Sequence, residues 1–216
     1  MTARGVHFAL SDDEVAALRA VGDDARIGHI QEAIETPFFD KARHYLAESD
    51  KTWDAMHRAL TDGELAWDGG TYPLNHAVMG GEQLYGNDDY IISLKTPDQV
   101  REISAALDRL TKGEFRKRYD AIDPSQYDGE MGDRDFDYTW ESLEAVRALY
   151  RRAAADGRYV LFTVDLLLQG SGGGVPVHGV LLKRPSIGTM SWIVPRQWTW
   201  MARATSSADA PSSWPT

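Results

Sequence analysis

Apolar positions recur three and four residues apart along most of the chain and form short continuous runs in only a few places, so helices should outnumber strands. Val6 to Leu10 is one such run, with β-branched and aromatic members, and it stops at Ser11, ahead of Asp12, Asp13 and Glu14. That S-x-x-E spacing is a capping box, in which the serine hydroxyl and the glutamate carboxylate each accept from a backbone N–H at a helix start. Val15, Leu18 and Val21 then carry the helical spacing onward. Ile27, Ile30 and Ile34 predict a second helix, interrupted at Pro37, which lacks an amide hydrogen. Asp50 is placed to cap a third, whose spacing is set by Trp53, Met56, His57 and Leu60 before Thr61, Asp62 and Gly63 end it.

Tyr90 to Leu94 reads as a buried strand and runs into TPDQV, with Thr96 as N-cap, Pro97 at the first helical position and Gln99 as reciprocal partner. The apolar face of that helix is Val100, Ile103, Leu107 and Leu110. A shorter helical piece around Phe115 to Tyr119 gives way to AIDPSQYDGEMGDRDFDY, where Pro, Gly and alternating acids predict a long loop. Thr139 opens a further helix, with Glu141 and Glu144 near its positive end, Trp140, Leu143, Val146 and Tyr150 on one side, and Gly157 as its stop. The run YVLFTVDLLL is the closing strand. The expected architecture is α+β, one domain over residues 1–169 with helices packed around a small sheet.

Charge and composition narrow the function. A formal charge of -10 over 216 residues repels phosphate backbones and anionic lipid headgroups, so neither nucleic acid nor a membrane surface is an expected partner, and a basic protein is. With no cysteine there is no disulfide and no thiolate zinc site, and a cytoplasmic location is the expectation. The longest apolar run, Tyr159 to Leu168, contains Asp165 and falls far short of the roughly 20 residues that span a bilayer. Residues 170–216 differ in character: one acid, four bases, four of the seven tryptophans and five of the nine prolines, with neither capping nor alternation around them. Their excess of positive charge leaves -13 for residues 1–169. Three readings compete for this tail: a Gly-rich linker to a basic peptide that folds on the acidic body, a tether to a partner, and a shifted reading frame, which the lack of agreement between levels favours.

Candidate chemistry gathers in two places. The first is YPLNHAVMGGEQLYGNDDY, Tyr72 to Tyr90. His76 and Glu82 have the residue types of an acid–base pair, with Tyr85 as a hydrogen-bond donor, and Asp88 and Asp89 are placed to orient the histidine or to bind a partner. Gly80 and Gly81 allow a close backbone approach or positive φ, and a tight turn against the core is their simplest use. Neither a P-loop nor a dinucleotide fingerprint occurs, so no cofactor is expected. Adjacent acids without a D-x-D-x-D-G loop, and His44 and His57 without H-E-x-x-H spacing, imply no metal site. The second place is the acidic loop with Asp128, Glu130, Asp133, Asp135 and Asp137, followed by Tyr138 and Trp140. Crowded like charges stay solvated or meet a cationic surface, and aromatics beside them supply contact area, so Asp133, Asp135, Tyr138 and Trp140 are candidate binding residues, although Trp140 also fits a core position.

The blocks GVHFALSDDEV, YPLNHAVMGGEQLYGNDDYIISLKTPDQVREI and YDAIDPSQYDGEMGDRDFDYTWESLEAVRALYRRAAADGRYVLFTVD, in this order, resemble the YfbM-like family, a domain of unknown function. The resemblance covers about Gly5 to Asp165 and leaves the tail outside. It implies a small bacterial cytosolic α+β domain with no established activity. Two functional classes follow from the residues. One is a binding protein whose acidic face docks a basic protein, as bacterial immunity proteins dock a cognate toxin. The alternative is a small hydrolase or ligand-binding enzyme built on His76 and Glu82, for which no nucleophile is assigned because no G-x-S-x-G elbow occurs.

Overall fold

The most continuously apolar strand is the central one. In a computed structural model that describes residues 3–86 and 90–165, β5 (Tyr159–Asp165) lies at the centre of a five-stranded sheet. It is flanked by β1 (Arg4–Leu10) and β4 (Tyr90–Lys95), with β2 (Leu46–Asp50) outside β1 and β3 (Glu82–Gly86) outside β4. All four pairings are antiparallel, and the register sets Phe8 opposite Leu161 and His7 opposite Phe162, with Ser93 opposite Phe162 from the other side. The tail residues 170–216, on which the three readings fall, lie outside the described residues, as do Asp88 and Asp89.

Helices cover both faces of this sheet, which is why its inner strands are buried along nearly their whole length rather than alternately buried and exposed. Alternation sends Val6, Phe8, Leu10, Tyr90, Ile92, Leu94 and Leu161 to one face, where they pack with Val15, Leu18, Ile30, Ile34 and Phe38. Those partners come from α1 (Asp12–Ala20), from the helical run of α2 (Asp23–His29), and from its continuation through a π-helical turn, Ile30–Glu35, into α3 (Thr36–Lys41). The other face carries His7, Ala9, Ser93, Lys95 and Phe162 toward α4 (Trp53–Leu60), α5 (Pro97–Arg109) and α7 (Asp133–Ala155), with α6 (Lys112–Tyr119) packed beside α4. The architecture is α+β.

Several boundaries differ from the sequence expectation. Pro37 does not interrupt its helix, because the π turn ahead of it breaks the usual ladder: Thr36 N–H and its hydroxyl both reach Gln31 O, and Pro37 falls in the first turn of α3, where a missing amide hydrogen costs little. The wide turn also delivers Glu35 to the sheet, where its carboxylate accepts from Tyr90 Oη at 2.7 Å and Thr163 Oγ1 at 3.3 Å. Asp50 is not a helix cap. It ends β2 at φ 38° and its carboxylate accepts from Tyr138 Oη, while α4 begins after Thr52. The long helix α7 starts at Asp133 rather than Thr139, because Phe136 N–H already reaches Gly132 O and the Phe136 ring is buried against Phe115 and Tyr119. Asp133 and Asp135 thereby stand in its first turn, at the positive end of the helix dipole, rather than in a loop.

The capping boxes predicted at Ser11 and Thr96 are both formed. Ser11 N–H donates to Glu14 Oε2 at 2.7 Å, and Thr96 N–H donates to Gln99 Oε1 at 2.9 Å while Thr96 Oγ1 accepts from Gln99 N–H at 3.4 Å. A third box, Thr111 with Glu114, opens α6. Thr96→Ala removes the acceptor at the head of α5, whose Val100, Ile103 and Leu107 are fully buried, and should lower unfolding stability by about 0.5 to 2 kcal/mol in chemical denaturation. An unchanged midpoint would show that solvent satisfies the same amide equally well.

Candidate functional site

The stretch that begins at Tyr72 is not an open catalytic loop. It holds a 3₁₀ turn, Leu74–His76, then a buried segment, and then β3. Ala77, Val78 and Met79 are wholly buried without belonging to a helix or strand, so their backbone needs partners from elsewhere. Side chains supply them. Tyr150 Oη donates to Ala77 O at 3.0 Å, His7 Nε2 donates to the same oxygen at 3.2 Å, and Lys95 Nζ donates to Val78 O at 2.5 Å. The glycine pair closes the turn. A Cβ on Gly80 would stand 2.7 Å from Asn75 O, and Gly81, at φ 114°, would bring one within 2.6 Å of Leu94 O, so only glycine fits either place.

The buried groups around this segment are held in neutral forms. Burial pushes the His7 imidazole down to about 3, and burial pushes His57, whose Nε2 donates to Ala66 O at 2.8 Å, down to about 4. Desolvation drives Lys95 well below the ordinary ammonium range. The geometry agrees, because its amine has two acceptors, Val78 O and Ser93 Oγ at 2.5 Å each, and no carboxylate: a neutral amine satisfies both N–H donors, whereas an ammonium would leave one unmet.

The proposed acid–base residues are engaged by different partners. His76 is half-buried at the end of the 3₁₀ turn, with Nδ1 2.8 Å from Asn75 Oδ1 and its ring edge-on to Tyr72, and partial burial favours its neutral form. Glu82 opens β3 and pairs with Arg19 of α1. No hydrogen bond joins His76 and Glu82 among the described residues. Tyr85 packs against the core face of the sheet from β3.

The acidic candidates, in contrast, share a place. Asp135 and Tyr138 line both of two adjoining hollows. One, of about 280 Å³, is also lined by Lys51, Trp53, Asp54, Tyr127 and Asp128; the other, of about 780 Å³, by Glu130, Arg134, Asp137 and Glu141. Asp135 accepts from Tyr119 Oη at 2.6 Å and Tyr127 Oη at 3.1 Å, contacts that together with burial raise both phenol pKa values. Tyr138 keeps 44% of its surface exposed while its hydroxyl donates to Asp50 at 2.7 Å, so the ring is held upright at the junction. Burial raises the Asp54 pKa against the pull of Arg58, whose Nε donates to it at 2.5 Å. Two of the acids are already paired, Asp133 with Arg116 at 2.7 Å and Asp137 with Lys112 at 2.8 Å, whereas Asp128, Glu130 and Glu141 have no ion-pair partner among the described residues. Trp140 is half-buried against Phe115 and beneath Arg147, away from the linings of both hollows.

Residues 1–163 match the family described as a domain of unknown function, DUF1877. The chain belongs to that family. The DUF1877 domain is similar in fold to the crystal structure of a protein of unknown function, YfbM from Escherichia coli, at a TM-score of 0.55 and 20% identity, over 74% of this chain and 99% of that one. Among curated proteins none matches. Within the described part of this DUF1877 chain, no helix is long and apolar enough to cross a membrane, and no group of three or more His, Asp or Glu is placed to hold a metal ion.

What sequence reading did not find in the DUF1877 domain is the company that Asp135 and Tyr138 keep. Tyr127 joins them from the preceding loop and Trp53 and Asp54 from far along the chain, and the docking of β2 beside α7 brings residues 50–54 to the start of that helix. The buried imidazoles generate a pH prediction. Unfolded histidine binds a proton below about 6.5, whereas His7 and His57 in the fold do so only near 3 and 4. The histidine contribution to stability should therefore be fully present above about 6.5 and fall with acidification below it, approaching about 1.4 kcal/mol per pH unit for each histidine. Lys95 acts in the same sense at higher pH, because the unfolded ammonium keeps a proton that the buried amine gives up. Urea midpoints at pH 7, 6 and 5 measure the slope, and a midpoint constant over that range would mean that the folded imidazoles take up protons freely.

Proposed function

We propose that this domain is a binding protein whose acidic groove, at the start of α7, docks a basic protein segment. The observation that carries the reading is the convergence of an exposed aromatic ring, Tyr138, with unpaired carboxylates at Asp128, Glu130 and Glu141, where two hollows meet. An aromatic ring held by its own hydroxyl loses little freedom when a partner packs on it, and carboxylates around it give direction and encounter rate. A basic side chain entering the smaller hollow meets Asp128 and Asp135 in its lining, Asp54 being already paired with Arg58, so the groove offers a lysine or arginine both a mouth and a seat. The overall charge of -10 extends the same field beyond the groove. The partner is a protein of basic surface, bound in the manner of an immunity protein and its toxin.

The test is affinity capture on the immobilised full chain, in parallel with a Glu130→Lys, Glu141→Lys variant and a Tyr138→Ala variant. A basic protein retained at low salt should be released at high salt, fail to bind the charge-reversed chain, and bind Tyr138→Ala about tenfold or more weakly, the loss expected for an aromatic anchor. Retention that is indifferent to salt and to all three substitutions would remove the groove from the account.

A further inference from the structure

On a chain so rich in acid, most arginines and lysines of the described residues are spoken for by a carboxylate or a carbonyl. Lys41, Lys51 and Arg134 are not, and neither are Arg109, Lys117 and Arg118: these last three are exposed, and no ion pair or hydrogen bond of their side chains is formed among the described residues. These three nonetheless share one hollow, of about 660 Å³, between α4, the 70–74 segment, the end of α5 and α6. Its walls include Leu60, Leu74, Ala106 and Leu110, all but Leu74 buried, with Tyr72 also in the lining. Its two acids are occupied: Asp62 accepts from Gly70 N–H at 3.2 Å, and Glu114 caps α6 through Thr111. Cations in the last turns of α5 and α6 are favoured by the helix dipoles, but that preference does not require two helices to aim them into a common hollow with an apolar wall.

We infer that this hollow is a binding site for a small organic anion with an apolar body, the anionic group meeting Arg109, Lys117 and Arg118 and the apolar body lying on Leu60, Leu74 and Leu110. The volume lies within the roughly 300 to 1,000 Å³ of small-molecule sites. Two guanidinium groups match a phosphate or a carboxylate, since their planar forks present paired donors. Tyr72 also lines the hollow, its ring edge-on to His76. This site is independent of the acidic groove, shares no lining residue with it, and has the opposite charge preference.

Calorimetric titration of the full chain with phenyl phosphate, benzoate, inorganic phosphate and phenol tests it. Phenyl phosphate or benzoate should bind about tenfold or more tightly than inorganic phosphate and than phenol, because each of those controls lacks one half of the recognition. Whichever of the two aromatic anions binds better identifies the anionic group preferred. The variant Arg109→Gln, Arg118→Gln should lose about tenfold or more of that affinity with an unchanged unfolding midpoint, since both side chains are exposed. Methyl resonances of Leu60, Leu74 and Leu110 should shift on titration and stay fixed in the variant. Failure of both aromatic anions at millimolar concentration, binding of inorganic phosphate as tight as theirs, or equal binding by the variant would each overturn the assignment.

Discussion

A buried backbone segment that is neither helix nor strand must find hydrogen-bond partners in side chains, and the packing of this domain turns on that requirement. The carbonyls of Ala77 and Val78 are met by His7 from β1, Lys95 from β4 and Tyr150 from α7. A buried carbonyl left alone costs about 1 to 3 kcal/mol, so each of these bonds is worth more for what it prevents than for what it adds. Because the donors come from two strands and a helix, the segment cements one helical layer to the sheet. The polar row His7, Ser93, Lys95 also explains why this face is not simply apolar: its donors are aimed at one short stretch of chain.

Charge is divided between structure and surface in a similar way. Arg58 is almost wholly buried and spends its guanidinium on Asp54, Gly63 O and Gln126 O, fixing the end of α4 and the loop after α6 in one stroke. Arg116 holds Asp120 and Asp133, which ties α6 to the first turn of α7. These pairs use up the carboxylates that stabilise helix starts and leave others, notably Glu130 and Glu141, facing water. The acidic groove is therefore what remains after the local charge pairing has been done, and its mouth is shaped by pairs that do not themselves contact a ligand.

Much of the fold could be read from local chemistry, and what could not was decided at long range. The caps at Ser11 and Thr96, the face of α5, and the strands around Phe8 and Ile92 followed from spacing and side-chain type alone. The strand β2 did not, because Leu46 to Asp50 shows only a weak alternation and pairs at a sheet edge. The start of α7 was hidden for another reason: Gly132 supplies no capping side chain, and the acids that follow it look the same in a solvated loop as in a first turn. Of the candidate site, the cluster of acids around Tyr138 was legible as charge, but its walls at Trp53, Asp54 and Tyr127 depended on tertiary docking that no local pattern encodes. Lys95 carried no signal either, since a lysine that closes a strand ordinarily points to water.

The order in which the strands appear along the chain has a consequence for how the domain can be assembled. β5 sits between β1 and β4 yet is the last of the described strands to be made. Until it arrives, β2 with β1 and β3 with β4 are separate two-stranded ribbons, each with an unsatisfied inner edge. The register that aligns Arg4 with Asp165 joins the two extremes of the domain, so closing the sheet spans nearly its entire length. Nascent chains of this kind carry open edges throughout synthesis and become a single cooperative body at one late event, the insertion of a strand into a waiting slot. A domain built in this way is divisible: a fragment ending before β5 and a separate β5 peptide have complementary edges.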